Sequence, residues 1–212
     1  MIVTIEELKI KFKDYSDIQG KIKREVEQGK YVPVIRGLYE TNRNTPGYFL
    51  SSYIYGPSYL SFDYALSYYG LIPERVTLYT SATFNKRKSK TYSTLFGNYH
   101  YRDIPKSAFP YDVDVIEENN YIYHIATKEK AICDKLYLIK SVSIIKELKE
   151  VLFDNLRIDR DQFNMLDKEK MLFLSKKYNS RTLRTLEKML EENKHESYWS
   201  NVTEIWFEIN WR

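Results

Sequence analysis

The polar run Asn42-Arg43-Asn44-Thr45-Pro46-Gly47 constrains this chain most, because it breaks it in two. It ends in a Pro-Gly pair, which starts turns and stops helices and strands, and the patterning differs on its two sides. A chain of 212 residues has room for between one and two domains as a soft prior. We place a first unit over residues 1–41, a linker over 42–47 and a larger domain over 48–212.

Within the first unit, Thr4-Ile5-Glu6-Glu7 has the spacing of a capping box, and Ile5, Leu8 and Phe12 then fall on one face of a short helix. Asp14-Tyr15-Ser16-Asp17 is turn chemistry, so Ser16 or Asp17 caps a second helix that runs to Gln28. Its apolar stripe is Ile18, Ile22 and Val26, and Gly29 ends it. Two β-prone runs around Arg36-Gly37 follow, read as a small hairpin with Pro33 on an edge strand. Helix, helix, hairpin is the back half of a winged helix-turn-helix. Outside its apolar stripe the second helix carries Gln19, Lys21, Lys23 and Arg24, and Arg36 sits at the tip of the wing. Basic and amide side chains beside a basic wing suit a major groove and its flanking phosphates. The plainer reading is an amphipathic helix with a solvated face, and Glu25 and Glu27 dilute the positive charge.

The larger domain opens with an aromatic-rich helix over 48–54. A second helix follows, capped by Ser58 or Ser61, with Leu60, Ala65, Leu66, Tyr68 and Tyr69 as its apolar set. Residues 75–81 alternate and are β-branched, which predicts a strand. Residues 94–102, around Gly97, and 121–125 predict further strands or hairpins. Ala126-Thr127 caps a strong helix with Ala131, Ile132, Leu136 and Ile139 buried. From Ser143 onward the pattern is helical, with caps at Asp167 and Ser180. The aromatic end, 203–211, reads as a strand or a docking tail. The fold class expected is α+β: an N-terminal winged helix-turn-helix, then a larger mixed α/β domain with a helical C-terminal part.

Several function classes fall away. The seven glycines never form G-x-G-x-x-G or a P-loop, so no glycine-rich phosphate cradle exists. A single cysteine, Cys133, excludes an intramolecular disulfide framework, and His100, His124 and His195 lie far apart. No metal and no cofactor is expected. The N-terminus has neither a basic n-region nor an apolar h-region, and no stretch spans a bilayer. A cytoplasmic protein without membrane contact is expected. Net charge is +4, which permits nucleic acid without requiring it. Four of the five residues 86–90 are basic (Lys86, Arg87, Lys88, Lys90), a candidate second patch for DNA, phosphate or an acidic partner.

Two stretches carry a resemblance. One is Val34-Ile35-Arg36-Gly37-Leu38-Tyr39-Glu40. The other begins Pro57-Ser58-Tyr59-Leu60-Ser61 and Ala65-Leu66-Ser67-Tyr68-Tyr69-Gly70-Leu71-Ile72-Pro73-Glu74. It runs on through Thr80-Ser81-Ala82-Thr83 and residues 94–102 to Ile125-Ala126-Thr127-Lys128-Glu129-Lys130-Ala131 and Asp134. Over residues 4–40 and 57–140 the chain resembles the AbiE-type (AbiEi) antitoxins, the repressor halves of type IV toxin–antitoxin pairs used in phage defence. The resemblance implies an N-terminal winged helix that binds inverted repeats in its own promoter. It also implies a larger domain carrying antitoxin activity, and a nucleotidyltransferase-like toxin as functional partner without a stable complex. Inverted repeats need two reading heads, hence a dimer on DNA or cooperative monomers. The chain departs from the family in having no separate helix before Thr4 and a tail after His195 with no counterpart.

Two other readings compete with that of a DNA-binding autorepressor. One is a protein-interaction module with a vestigial winged helix. The other is a metal-dependent nuclease using Asp112, Asp114, Glu117, Glu118, Glu129 and Lys130. The nuclease needs carboxylates that converge on metal ions, whereas Thr127 and Glu129 are explained as a helix cap and a dipole-favoured acid. The protein is expected not to be an enzyme. Tyrosines 48, 53, 55, 59, 64, 68 and 69 are a candidate partner-facing cluster.

Overall fold

The computed structural model describes residues 1–192, so the expectation for residues 203–211 lies outside the described residues. Over the described residues the chain is α+β, with two sheets. The first unit runs β1 (Ile2–Thr4), α1 (Ile5–Lys11), α2 (Ile18–Glu27), β2 (Val32–Ile35) and β3 (Leu38–Glu40). Its three strands form an antiparallel sheet in the order β1-β3-β2. The Thr4/Glu7 capping box forms, and Asp17, not Ser16, caps α2. Leu8, Phe12, Ile22 and Tyr31 make a small core that ties both helices together.

Residues 42–47 lead from this sheet to the next unit, which begins with a 3-10 turn (Gly47–Leu50) and a single α-turn, α3 (Ser51–Ile54), in place of one continuous helix. Then come β4 (Tyr59–Leu60), α4 (Phe62–Tyr68), β5 (Tyr79–Thr83), β6 (Lys90–Thr94), β7 (Gly97–Asp103), β8 (Val113–Glu118) and β9 (Tyr121–Ala126). The six strands form a mixed sheet ordered β6-β7-β5-β4-β9-β8, with β4–β9 and β5–β7 parallel. Helices α5 (Lys128–Leu138), α6 (Ile145–Glu150), α7 (Arg160–Asn164), α8 (Lys168–Ser175) and α9 (181–192) complete the described chain, and a π-turn over Val151–Asn155 extends α6. Among the described residues no helix is long and apolar enough to cross a membrane.

Three strand expectations shift. Leu60, expected in a helix, lies in β4, where it pairs with both Ser81 and Ile125. The strand expected over 75–81 forms over Tyr79–Thr83, because the Val76 N–H is taken by Ser67 Oγ at 3.1 Å, which itself donates to the Glu74 carbonyl. Strand β8, acidic and not foreseen, is paired along its length with β9.

The two units share a core. Val32, Val34 and Leu38 of the hairpin pack with Leu50, Ile54, Phe96, Tyr99 and Tyr101. Gly47 makes the close approach possible: a Cβ there would lie 2.2 Å from the Phe96 carbonyl oxygen and 2.4 Å from the Tyr79 ring. The tyrosine hydroxyls beneath are satisfied by backbone, Tyr99 donating to the Gly47 carbonyl (2.9 Å) and Tyr101 to that of Ser51 (2.7 Å). At the same junction buried Glu40 accepts hydrogen bonds from the Met1 amino group, the Thr41 and Asn42 N–H groups and the Tyr121 hydroxyl.

Candidate nucleic-acid interface

Helix α2 owes its orientation to a few local devices. The Asp17 carboxylate accepts from the Gly20 N–H at 2.8 Å, leaving no room there for a Cβ, which would sit 1.8 Å from Asp17 Oδ2. Ile18, Ile22 and Val26 face the α1 side. Gln19, Lys23 and Arg24 are exposed. Lys21 behaves differently: its ammonium lies 2.6 Å from Glu25 Oε1 and over the Phe12 and Tyr15 rings at 5.6 and 4.9 Å. Glu25 is buried between Lys21 and Lys30, and their hydrogen bonds, Lys21's foremost, hold its carboxyl below the usual range. Lys23 lies at the edge of ion-pair range from Glu27, at 3.9 Å. Lys30, which the sequence pattern did not single out, adds an exposed ammonium near the end of the helix.

At the hairpin turn Arg36 is exposed. Gly37 adopts φ +83°, a conformation glycine takes without strain, and its carbonyl accepts from the Ile5 N–H at 2.8 Å, fixing the turn to the start of α1.

The basic loop is tied down as well. Lys86 donates to the Gly56 carbonyl at 2.9 Å and lies 5.0 Å from the Tyr55 ring centre. The Arg87 N–H donates to Asp103 at 2.6 Å, while the Arg87 side chain and Lys88 are exposed. Lys90 opens β6 and lies 5.9 Å over Tyr92. Tyr55 and Tyr92 pack, together with Ile35, against the core shared with the hairpin. Lys86 and Lys90 therefore rest on rings belonging to the cluster that seats the hairpin.

The carboxylates considered for nuclease chemistry are dispersed. Asp112 pairs with Lys170 at 3.7 Å, Glu118 accepts from Tyr48, and Glu129 accepts from the Asp167 N–H. Lys130 is fully buried, its ammonium 3.3 Å from Asp134. No group of three His, Cys, Asp or Glu side chains among the described residues is placed to hold a metal ion. Asp134 is the hub of a buried network that sequence reasoning missed, accepting from Tyr59 (2.9 Å), Ser61 (2.7 Å) and Tyr178 (2.6 Å). Ser61 occupies the N-cap position of α4, yet its side chain makes no capping bond. Burial, reinforced by Asp134, raises the Tyr59 and Tyr178 hydroxyls well above the usual range, so they stay protonated donors. Burial likewise pushes the Cys133 thiol up and, with Arg102, pushes His100 down. The seven tyrosines do not share one surface: Tyr59 packs on Phe109, Tyr64 on Tyr79 and Tyr48 on Tyr123, whereas Tyr53 and Tyr68 are exposed.

No protein-family profile matches the chain, and no curated protein is similar enough to it to count as a relative.

Proposed function

We propose that this protein is a DNA-binding transcriptional autorepressor that serves as the antitoxin of a type IV toxin–antitoxin pair. The observation that carries the DNA-binding reading is the set of exposed side chains Gln19, Lys23 and Arg24 on α2 together with Arg36 at the hairpin tip. The strand–helix–helix–hairpin order, with sheet order β1-β3-β2, supports reading this unit as a winged helix with α2 as its recognition helix. In that role Gln19 suits adenine and Arg24 guanine, and Lys23 and Arg36 suit phosphates or a groove edge, while Lys21, paired with Glu25, braces the helix. The loop with Lys86, Arg87, Lys88 and Lys90 extends the phosphate contacts. The antitoxin part of the proposal, and the nucleotidyltransferase-like toxin as functional partner, rest on the sequence resemblance.

The test is a pair of single substitutions. Arg24→Ala and Arg36→Ala, each checked for an unchanged circular-dichroism spectrum, are titrated against the DNA upstream of the gene. Loss of Arg24, the base-reading arginine, is expected to weaken binding by about 1–3 kcal/mol. Loss of Arg36, a phosphate contact, is expected to weaken it evenly across sequences and lower the salt slope by about 1. Unchanged affinity in both folded variants refutes the assignment.

A further inference from the structure

A cavity of about 320 Å³ opens between the end of α3, the segment before β4 and the β8–β9 hairpin. Pro57, Tyr59, Phe109 and Val113 make its walls. The Tyr59 and Phe109 ring centres are 5.1 Å apart, and Phe84 backs Phe109 at 4.5 Å. The Tyr59 hydroxyl is committed to Asp134, so the cavity meets its ring. No Lys, Arg, Asp or Glu lines the space. Three polar side chains do, buried Ser58 and half-buried Ser52 and His124.

Ser58 is the unusual one. It is 6% exposed, and its hydroxyl has no hydrogen-bond partner. Its buried neighbours are all satisfied: Ser51 with Ser81 at 2.6 Å, Ser61 with Asp134 at 2.7 Å and Thr80 with the Ser61 carbonyl at 2.6 Å. A buried hydroxyl left unpaired is unfavourable and uncommon. Ser58 lines a mostly apolar, uncharged cavity, the arrangement of a small-molecule site with a few orienting polar groups. A dry cavity of about 150 Å³ takes benzene, so this one has room for one or two rings.

We propose that this cavity binds a neutral one- or two-ring aromatic molecule bearing one hydrogen-bonding group. The ring lies against Tyr59 and Phe109, and the polar group meets Ser58 and His124. The proposal stands independently of DNA binding.

Fluorine NMR of the probes and proton NMR of the histidine rings, in titrations with 4-fluorophenol and its apolar analogue 4-fluorotoluene, test it on the wild type, Ser58→Ala and Val113→Phe. The expected result is saturable 4-fluorophenol binding that moves the His124 ring resonances. Ser58→Ala weakens that binding about threefold to tenfold, in line with one hydrogen bond, and leaves 4-fluorotoluene unchanged. Val113→Phe, which fills the space, abolishes both. Non-saturating behaviour in the wild type, unmoved His124 resonances, or equal losses for the two probes in Ser58→Ala would overturn it. The Ser58→Ala comparison stands even where Val113→Phe fails to fold.

Discussion

Replacing Asp134 by leucine is expected to destabilise the protein more than any surface substitution. The carboxylate is fully buried and accepts from three hydroxyls, Tyr59, Ser61 and Tyr178, while pairing with the equally buried Lys130. Without it the Lys130 ammonium keeps only the Ala108 carbonyl at 2.7 Å and the Tyr178 hydroxyl at 2.5 Å. Leaving a buried charge uncompensated costs about 3–5 kcal/mol. At roughly 2–4 °C per kcal/mol for a chain of this size, a loss near ~4 kcal/mol lowers Tm by about 8–16 °C. The reciprocal change, Lys130→Met, costs less, because the carboxylate retains three donors. The double variant Lys130→Met/Asp134→Leu removes both charges and is expected to recover at least ~2 kcal/mol relative to Asp134→Leu. Thermal and urea unfolding followed by far-ultraviolet circular dichroism read all four proteins. An Asp134→Leu variant within ~1 kcal/mol of the wild type, or a double variant no better than the sum of the singles, refutes the reasoning.

Neutralising Lys86, Arg87, Lys88 and Lys90 together is expected to flatten the salt dependence of DNA binding by about 0.9 log–log units per lost phosphate contact; an unchanged slope removes this loop from the interface. Glu40 predicts a pH effect. Burial alone would raise its carboxyl, but the Met1 amino group, the Asn42 N–H and the Tyr121 hydroxyl outweigh that and hold it below its ordinary 4.5. A group depressed on folding adds stability that is complete above its unfolded value and lost as pH falls through its folded one. The urea midpoint of the wild type should therefore fall more steeply below about pH 4.5 than that of Glu40→Gln, and parallel acid limbs would contradict this.

The legible parts of the fold were the local ones. Thr4 with Glu7, Asp17, Thr127 and Asp167 cap their helices through bonds spanning three residues, so short spacings reveal them. Gly29 and Gly37 stand where positive φ is required. The illegible parts are made by distant partners. Strands β1 and β4 are only three and two residues long and exist because other strands pair with them. In β8, Asp114, Glu117 and Glu118 obscure a strand that pairing with β9 sustains. Lys130 and Asp134, four residues apart on a helix, look in sequence like a surface ion pair; only the packing of α5 against α4 and α8 buries them. At the candidate interface, sequence identified Gln19, Lys23, Arg24 and Arg36 as outward-facing. It did not reveal that Lys21 folds back onto Glu25 or that Lys86 and Lys90 rest on Tyr55 and Tyr92, because those partners come from tertiary structure.

The measurement that bears most directly on the central claim is fluorescence anisotropy of the purified protein with the DNA upstream of its gene. Scrambled DNA of equal length is run beside it, at two salt concentrations. The autorepressor account predicts binding to the upstream DNA at least ~10³-fold tighter than to the scramble. Equal, weak and salt-sensitive binding to both duplexes would contradict it, leaving only generic attraction to phosphate.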